Sequence, residues 1–457
     1  MTSKVFQLQQ LFSKGKELLQ AGNFSGALSC FQAAITIDPS QTALHLHAGV
    51  AFHNLRCYGE AIAAYLRAIS IAPDMAEAFN NLGNSLMELG RFSEAADSFS
   101  RASELMQSSP VPLTAQATAL QALGKVTEAE RCCLKALSLD PGFAAAHWNL
   151  ALNLLLQGRY SEGWQEYEWR WQKPDFTSPC RHTDIPIWDG APLEGRTILL
   201  HAEQGFGDAI QFARYVPLVA QFGGAVLIEC HPPLVNLMQG IEGVKSVFPF
   251  GAPLPPFDCQ APLLSLPHIF GTTLETVPSQ FPYISVSAEY RNKWAGLVSS
   301  YPSKLRVGLV WAGKSYPDPL RSCWLADLAP LATGKATFFS LQLGEGAAQT
   351  SSPPLGMQIC DLTGQIQDFA DTAALIEQLD LVISIDTAVA HLAGAMGRPV
   401  YLMLPFAPDW RWLLGRTDSP WYPTMRIFRQ QHPGEWSEVI VRLQSALDKL
   451  SGASQTN

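Results

Sequence analysis

The sequence predicts an α + α/β chain: an N-terminal α-solenoid of repeated helix pairs, followed by two Rossmann-like lobes. Three observations predict it. A 34-residue register runs through the first third: Ala27, Ala61, Ala95 and Ala129 keep it, with Gly163 next, and Pro39, Pro73 and Pro141 fall one and two periods apart. After residue 172 that period stops, and a Pro/Gly-rich stretch begins. From residue 197 short apolar runs alternate with helical stretches, and the series occurs twice. Strands alternating with helices imply parallel sheets wound by right-handed crossovers.

Each repeat reads as a helix, a tight turn, a second helix with small Ala at the crossing, and a Pro that stops it. The turn position holds Gly22, Arg56, Gly90, Gly124 and Gly158, with Phe24, Tyr58, Phe92 and Tyr160 two residues after four of them. This pattern resembles the tetratricopeptide repeat over about residues 8–172. One unit cannot bury its apolar face alone, so neighbours stack and present a concave surface. The third unit has its Pro displaced to Pro110 and Pro112, which predicts a longer turn there. The fifth runs into Trp164, Tyr167, Trp169 and Trp171, a cluster expected to join the solenoid's end to the next region of the chain. Residues 173–196 read as a linker packed on the surface.

Composition bounds the function. At 457 residues the chain has room for two or three domains. Its hydrophobic content of 47% with 16% charged residues does not limit core formation. A net charge of −9 argues against a nucleic-acid partner, which calls for a basic face. No apolar run is long enough for a transmembrane segment, and MTSKVFQLQQ has no signal-peptide core. Nine cysteines without metal-ligand spacing fit a reducing cytoplasm.

The first lobe, 197–302, opens with strand TILLH (197–201), a glycine loop and helix over 205–222, and strand AVLIEC (225–230). The second, 303–457, starts at strand RVGLVW (306–311), then helix 323–332 and strands 337–343 and 358–362. Helix 368–379, strand 380–386, helix 387–397, strand 399–404 and a final helix 435–450 complete it. Ligands of such sheets sit at the carboxyl ends of the strands.

Three loops there can carry chemistry. In SIDTAVAHLAGAMGRPV (384–400) a strand ends at Asp386 and a helix opens at Thr387. The freed N–H groups of Thr387, Ala388 and Val389 suit an anionic diphosphate, with His391 in the first turns. The plainer reading is a capped helix with a core histidine. In HAEQGFGDAIQFAR (201–214), Gly205 and Gly207 permit close ligand approach, with Glu203 and Asp208 on either side. Asp208 is either a base or a helix cap. A dinucleotide site with Glu229 on the ribose is the rival, but position 210 is Ile, so G-x-G-x-x-G fails. GLVWAGKS (308–315) spells a P-loop, yet its middle is strand core, and Pro317 and Pro319 forbid the helix a P-loop needs. What survives is Lys314, a phosphate contact or a solvated cation, with Arg321 able to play the same part.

Together these pieces resemble the heptosyltransferase-like glycosyltransferases (family nine), over about 196–447, which implies the two-lobed GT-B fold. The resemblance implies Asp208 as catalytic base, Lys314 on the donor phosphate, and Asp386, Thr387, Ala388 and His391 as the donor turn. The family often has Gly where Ala388 stands. A solenoid joined to such lobes is also similar to the O-linked N-acetylglucosamine transferases. That likeness implies that His47, Asn81 and Asn149, at one repeat position, line a peptide groove; ordinary polar helix residues are the alternative. The Trp/Arg-rich segment 405–430 either closes on a nucleotide base or packs the final helix.

The expected function is sugar transfer from a nucleotide-sugar, a substrate rather than a cofactor, to an acceptor hydroxyl, with a protein acceptor or partner on the repeats. No Asp-x-Asp motif is present, which agrees with metal independence. The rivals are a non-catalytic repeat scaffold with a degenerate transferase-like domain, and a nucleotide-binding regulator.

Overall fold

The structure, a computed structural model, describes residues 2–301, 305–314 and 319–453. The chain divides into two compact units, residues 1–154 and 155–457. Five helix pairs occupy the repeat region: Thr2–Gln20 with Phe24–Ile37, Thr42–Asn54 with Tyr58–Ile71, Ala76–Glu88 with Phe92–Leu105, Val111–Ala122 with Val126–Leu139, and Ala144–Leu156 with Tyr160–Tyr167.

The turn inside each pair requires a left-handed residue, and glycine supplies it at Gly22, Gly90, Gly124 and Gly158, with φ of 69–78°. Arg56 holds the same slot at φ 60° and bears the Cβ strain. Small residues set the crossings. A methyl group on Gly49 would lie 2.5 Å from the Tyr65 ring, and one on Gly83 2.6 Å from the Phe99 ring. The link after the third pair spans five residues (106–110), where the others span four (38–41, 72–75, 140–143). The last helix, Tyr160–Tyr167, lies in the second unit, where Tyr160, Trp164 and Tyr167 are buried.

Among the described residues the second unit contains two sheets, parallel throughout. The first has strands β1 (Thr197–His201), β2 (Ala225–Cys230), β3 (Val244–Pro249) and β4 (Cys259–Pro262), in the order β3-β2-β1-β4. The second has β5 (Leu305–Val310), β6 (Ala336–Ser340), β7 (Ile359–Asp361), β8 (Leu381–Ile385), β9 (Val400–Leu404) and β10 (Met425–Arg429), in the order β10-β9-β8-β5-β6-β7. From β5 the chain winds outward to β7, then returns to the other side of β5 and winds outward to β10. This is the doubly wound order, and it opens a crevice between β5 and β8. In the first sheet the reversal falls between β1 and β4.

Several local expectations change. The 205–222 segment is broken into Phe206–Phe212, a 3-10 turn Ala213–Tyr215 and a short helix Val216–Ala220, with Pro217 at the last break. Residues 323–332 form only a 3-10 turn, Leu325–Leu331, because Pro330 interrupts the helical hydrogen bonds. Strands β3, β4 and β10 and helix Ala288–Val298 lie in stretches without a clear period. The linker does more than cover the surface: it runs alongside β4, Trp188 donating its N–H to Gln260 O (2.8 Å) and Gln260 to Pro186 O (3.0 Å). Trp311 is buried one residue past the end of β5, with Leu309 and Val310 in the strand core, while Ser315 and Pro317 lie outside the described residues.

Candidate active site

Both motif loops leave their sheets at the crevices. β5 and β8 are adjacent, with Val310 opposite Ser384. Gly313 and Lys314 therefore come after one strand, and Asp386, Thr387 and Ala388 after its neighbour. Lys314 is exposed, and Arg321 donates to its carbonyl at 3.4 Å. The helix Ala388–Ala395 begins after Thr387, whose extended backbone ends the strand. Its first-turn N–H groups have no partner within the helix, and residues 386–389 are half-buried.

The glycine loop of the first lobe meets this turn directly. A methyl group on Gly207 would lie 2.9 Å from His391 Cδ2 and 3.5 Å from Ala388 Cα, so only glycine fits the approach. Gly205 N–H donates to Asp208 Oδ2 at 2.8 Å, closing the first turn of Phe206–Phe212. The other Asp208 oxygen accepts from Arg411 Nη2, and the Asp208 side chain is 19% exposed. The plain cap reading of Asp208 is thus satisfied by the geometry. Its exposed edge keeps lone-pair capacity for a further proton donor.

Among the described residues Asp386 is held by side chains and accepts no bond from the helix amides. Trp412 Nε1 donates to its Oδ2 at 2.8 Å, and His391 Nε2 faces its Oδ1 at 3.7 Å. Burial alone would raise this carboxyl; His391, the Trp412 N–H and the charge of Arg411 outweigh it and hold it below its ordinary value. His391 is itself fixed on three sides. Its Nδ1 shares a 2.9 Å hydrogen bond with Tyr422 OH, and its ring stacks on Trp412 at 5.3 Å and 26°. The carboxylate therefore organises the turn, while the amides of Thr387, Ala388 and Val389 are the groups suited to an anion.

Two other candidates are committed elsewhere. Glu203 is buried in a forked ion pair with Arg170, at 2.8 and 3.0 Å. Glu229, the ribose candidate of a dinucleotide site, lies 2.9 Å from His182 and 3.8 Å from Arg181 of the linker. In the repeats, His47 Nδ1 bonds Ala43 O at 2.8 Å and its ring packs on Phe12 and Phe31. Asn149 Nδ2 donates to Thr114 O (3.1 Å) and Thr118 Oγ1 (2.9 Å), and Asn81 is half-buried.

The sequence reading missed Arg411, Trp412 and Tyr422 as individuals, although the Trp/Arg-rich segment containing them stood out. Its tryptophans are buried among the chain's own rings: Trp410 lies 5.2 Å from Trp164, and Trp421 5.7 Å from Tyr160. His231, after β2, was also missed. Its ring packs against Phe206, burial lowers its basicity, and the charges of Arg181, Asp208 and Lys314 act on it. A cavity of about 580 Å³ elsewhere, bordered by Arg214, Glu242 and Tyr283, contains none of these groups.

Known proteins extend these observations. Residues 12–76, 58–110 and 114–168 match the tetratricopeptide repeat. Residues 345–402, which contain the turn from Asp386 to His391, match glycosyltransferase family 9 (heptosyltransferase). The protein FlbA of Caulobacter vibrioides is 28% identical over 319 residues, 64% of this chain and 53% of FlbA; the chain spans about half the length of that relative. Solved structures include MamA (21% identity, 34% of this chain and 91% of MamA, TM-score 0.33) and Pseudomonas aeruginosa PilF (23%, 36% and 76%, TM-score 0.34). Another is YrrB, described as a TPR protein with an unusual peptide-binding site (20%, 36% and 86%, TM-score 0.32). No described helix is long and apolar enough to cross a membrane. The chain thus joins a region that matches tetratricopeptide repeats to an α/β region in which residues 345–402 match glycosyltransferase family 9.

Proposed function

We propose that the α/β unit is a GT-B glycosyltransferase that moves a sugar from a nucleotide-sugar to an acceptor hydroxyl, with inversion and without a metal. One observation carries this reading: the Gly205–Asp208 loop of one sheet and the Thr387–His391 turn of the other meet at Gly207. Asp208 takes the acceptor proton as the hydroxyl oxygen bonds to the anomeric carbon. The bond from that carbon to the diphosphate oxygen breaks on the opposite face. The amides of Thr387, Ala388 and Val389, with Lys314, stabilise the departing nucleoside diphosphate. The repeats supply a surface for a protein or peptide, which we take as acceptor or partner. A chain with nine cysteines and no disulfide framework suits the cytoplasm.

The engaged state of Asp208, capping a helix and paired with Arg411, favours a second reading: a repeat scaffold whose transferase-like domain is inactive. Two measurements separate them. Titrating nucleoside diphosphates should raise stability by about 2.7 kcal/mol at a hundred times Kd, less in Lys314→Ala and His391→Ala. Asp208→Asn has a single acceptor oxygen, so it keeps either the cap bond from Gly205 or the Arg411 contact, and it cannot accept the proton; sugar transfer should fall at least about a hundredfold while diphosphate still binds. Unchanged melting with every nucleotide, or full transfer in Asp208→Asn, would favour the scaffold or remove Asp208 from the mechanism.

A further inference from the structure

Residues 409–412, Asp-Trp-Arg-Trp, form a short turn beyond β9 in which the neighbours Arg411 and Trp412 reach two different places. The turn is rigidly held. Asp409 Oδ1 accepts from Arg411 N–H at 3.0 Å, and Leu413 keeps a left-handed backbone at φ 49°. Arg429 donates to the carbonyls of Trp412 (3.1 Å) and Leu413 (2.5 Å), fixing that unfavourable conformation.

From this base Arg411 enters the first lobe. Its guanidinium, 9% exposed, donates to Asp208 and to Gln211 Oε1, and its Nη1 bonds Asp409 at 2.9 Å. The next residue, Trp412, points back into its own lobe, donating to Asp386 and stacking on His391. Adjacent residues on one fixed turn therefore hold the candidate base of one lobe and the donor turn of the other. Neither Asp208 nor Asp386 needs to touch the other to be aligned.

The charges suit this role. A desolvated guanidinium needs a carboxylate partner, and Arg411 has two. When Asp208 takes a proton and becomes neutral, Asp409 still neutralises Arg411. The site can thus pass through the protonated form of its base without leaving a buried charge unpaired. A surface ion pair serving only to join two lobes would need neither the second carboxylate nor the link through Trp412.

We propose that Arg411 is a positioning residue that couples the orientation of Asp208 to occupancy of the donor turn, through the connection Trp412–Asp386. This rests on the glycosyl-transfer reading above. Coupling between two groups is reciprocal, so a change at Asp208 must be felt by a ligand on the donor turn.

The test uses the full chain and calorimetric titration with UDP, GDP, ADP and dTDP. Asp208→Asn should change the affinity of the nucleotide that binds by about threefold or more. The change should vanish in an Arg411→Lys background, which keeps the charge but loses the fork. It should vanish equally with Trp412→Phe, which keeps the ring on His391 but removes the N–H to Asp386. An equal effect of Asp208→Asn in all three backgrounds, or none in any, overturns the coupling. A second readout needs no ligand: thermal midpoints of Asp208→Asn, Trp412→Phe and the double variant. Non-additive shifts support the connection and additive shifts overturn it. If no nucleotide binds while the shifts are non-additive, the transfer reading fails and the coupling stands.

Discussion

In the repeats the contacts recur; in the α/β unit each occurs once. Gly15 faces Phe31, Gly49 faces Tyr65 and Gly83 faces Phe99, with the same sequence separation and nearly the same close approach each time. Arg411 and Asp208, by contrast, are 203 positions apart, and the Trp421 indole donates to a Tyr160 hydroxyl 261 positions away. A lesion in the repeats should therefore be bounded by one pair of helices, whereas one in the α/β unit should be felt across both sheets. The largest effect is expected at a fully buried contact that occurs once.

That contact is Arg170. It is fully buried, forked onto Glu203, and bonded to Glu168 and Ser265 at 2.7 Å each. Arg170→Ala leaves Glu203 as a buried charge without its partner and should cost about 3–5 kcal/mol in urea unfolding. Adding Glu203→Gln should recover part of it. A loss under about 1 kcal/mol would show that the segment 168–172 is held by its aromatic rings instead.

The next effect is a pH dependence confined to the α/β unit. Burial lowers His201 from an ordinary 6.5 to about 4, against the bond its Nε2 makes to Gln260 at 2.8 Å. The folded state keeps this imidazole neutral down to that value, while the unfolded chain protonates it below 6.5. More protons bind to the unfolded state in this window, so stability is present above about 6.5 and falls as pH drops towards 4. The loss is roughly 3 kcal/mol. Urea midpoints from pH 7 to 4 should show the slope, and His201→Gln should flatten it.

These residues mark where the sequence stops being readable. The 34-residue period placed the helix pairs because every turn and crossing is decided by neighbours within one repeat. Strands β1, β2 and β5 to β9 were legible as short apolar runs between helical or loop stretches. β3, β4 and β10 were not, because they are short and partly polar or lie among prolines and aromatics. Asp208, Lys314 and the Asp386–His391 turn stood out because loops after strands carry ligand chemistry. Arg411 could not be assigned a partner, since nothing local in DWRW says which of its side chains crosses to the other lobe.

A smaller effect tests the recurring contacts. Gly83→Ala puts a methyl group 2.6 Å from Phe99 Cε1. The ring must move within one helix pair, at a cost of about 1–3 kcal/mol. Thermal unfolding should shift, while diphosphate binding by the α/β unit should stay unchanged. A loss of that binding would break the comparison, because it would show a repeat lesion travelling beyond its pair.

The smallest effect separates structural from recognition polarity on the repeats. Asn149 ties helix Ala144–Leu156 to helix Val111–Ala122 through Thr114 and Thr118. Asn81 occupies the same repeat position, half-buried, and makes no such bond among the described residues. Asn149→Ala should then cost about 1 kcal/mol, and Asn81→Ala should leave the unfolding midpoint nearly unchanged. A groove that holds peptide backbone predicts a different pattern, with neither variant shifting stability and both weakening capture of a peptide. Equal stability in the two variants would release Asn149 from its internal role and return it to the concave surface. A drop confined to Asn149→Ala would leave Asn81 as the repeat-position asparagine free to meet a partner.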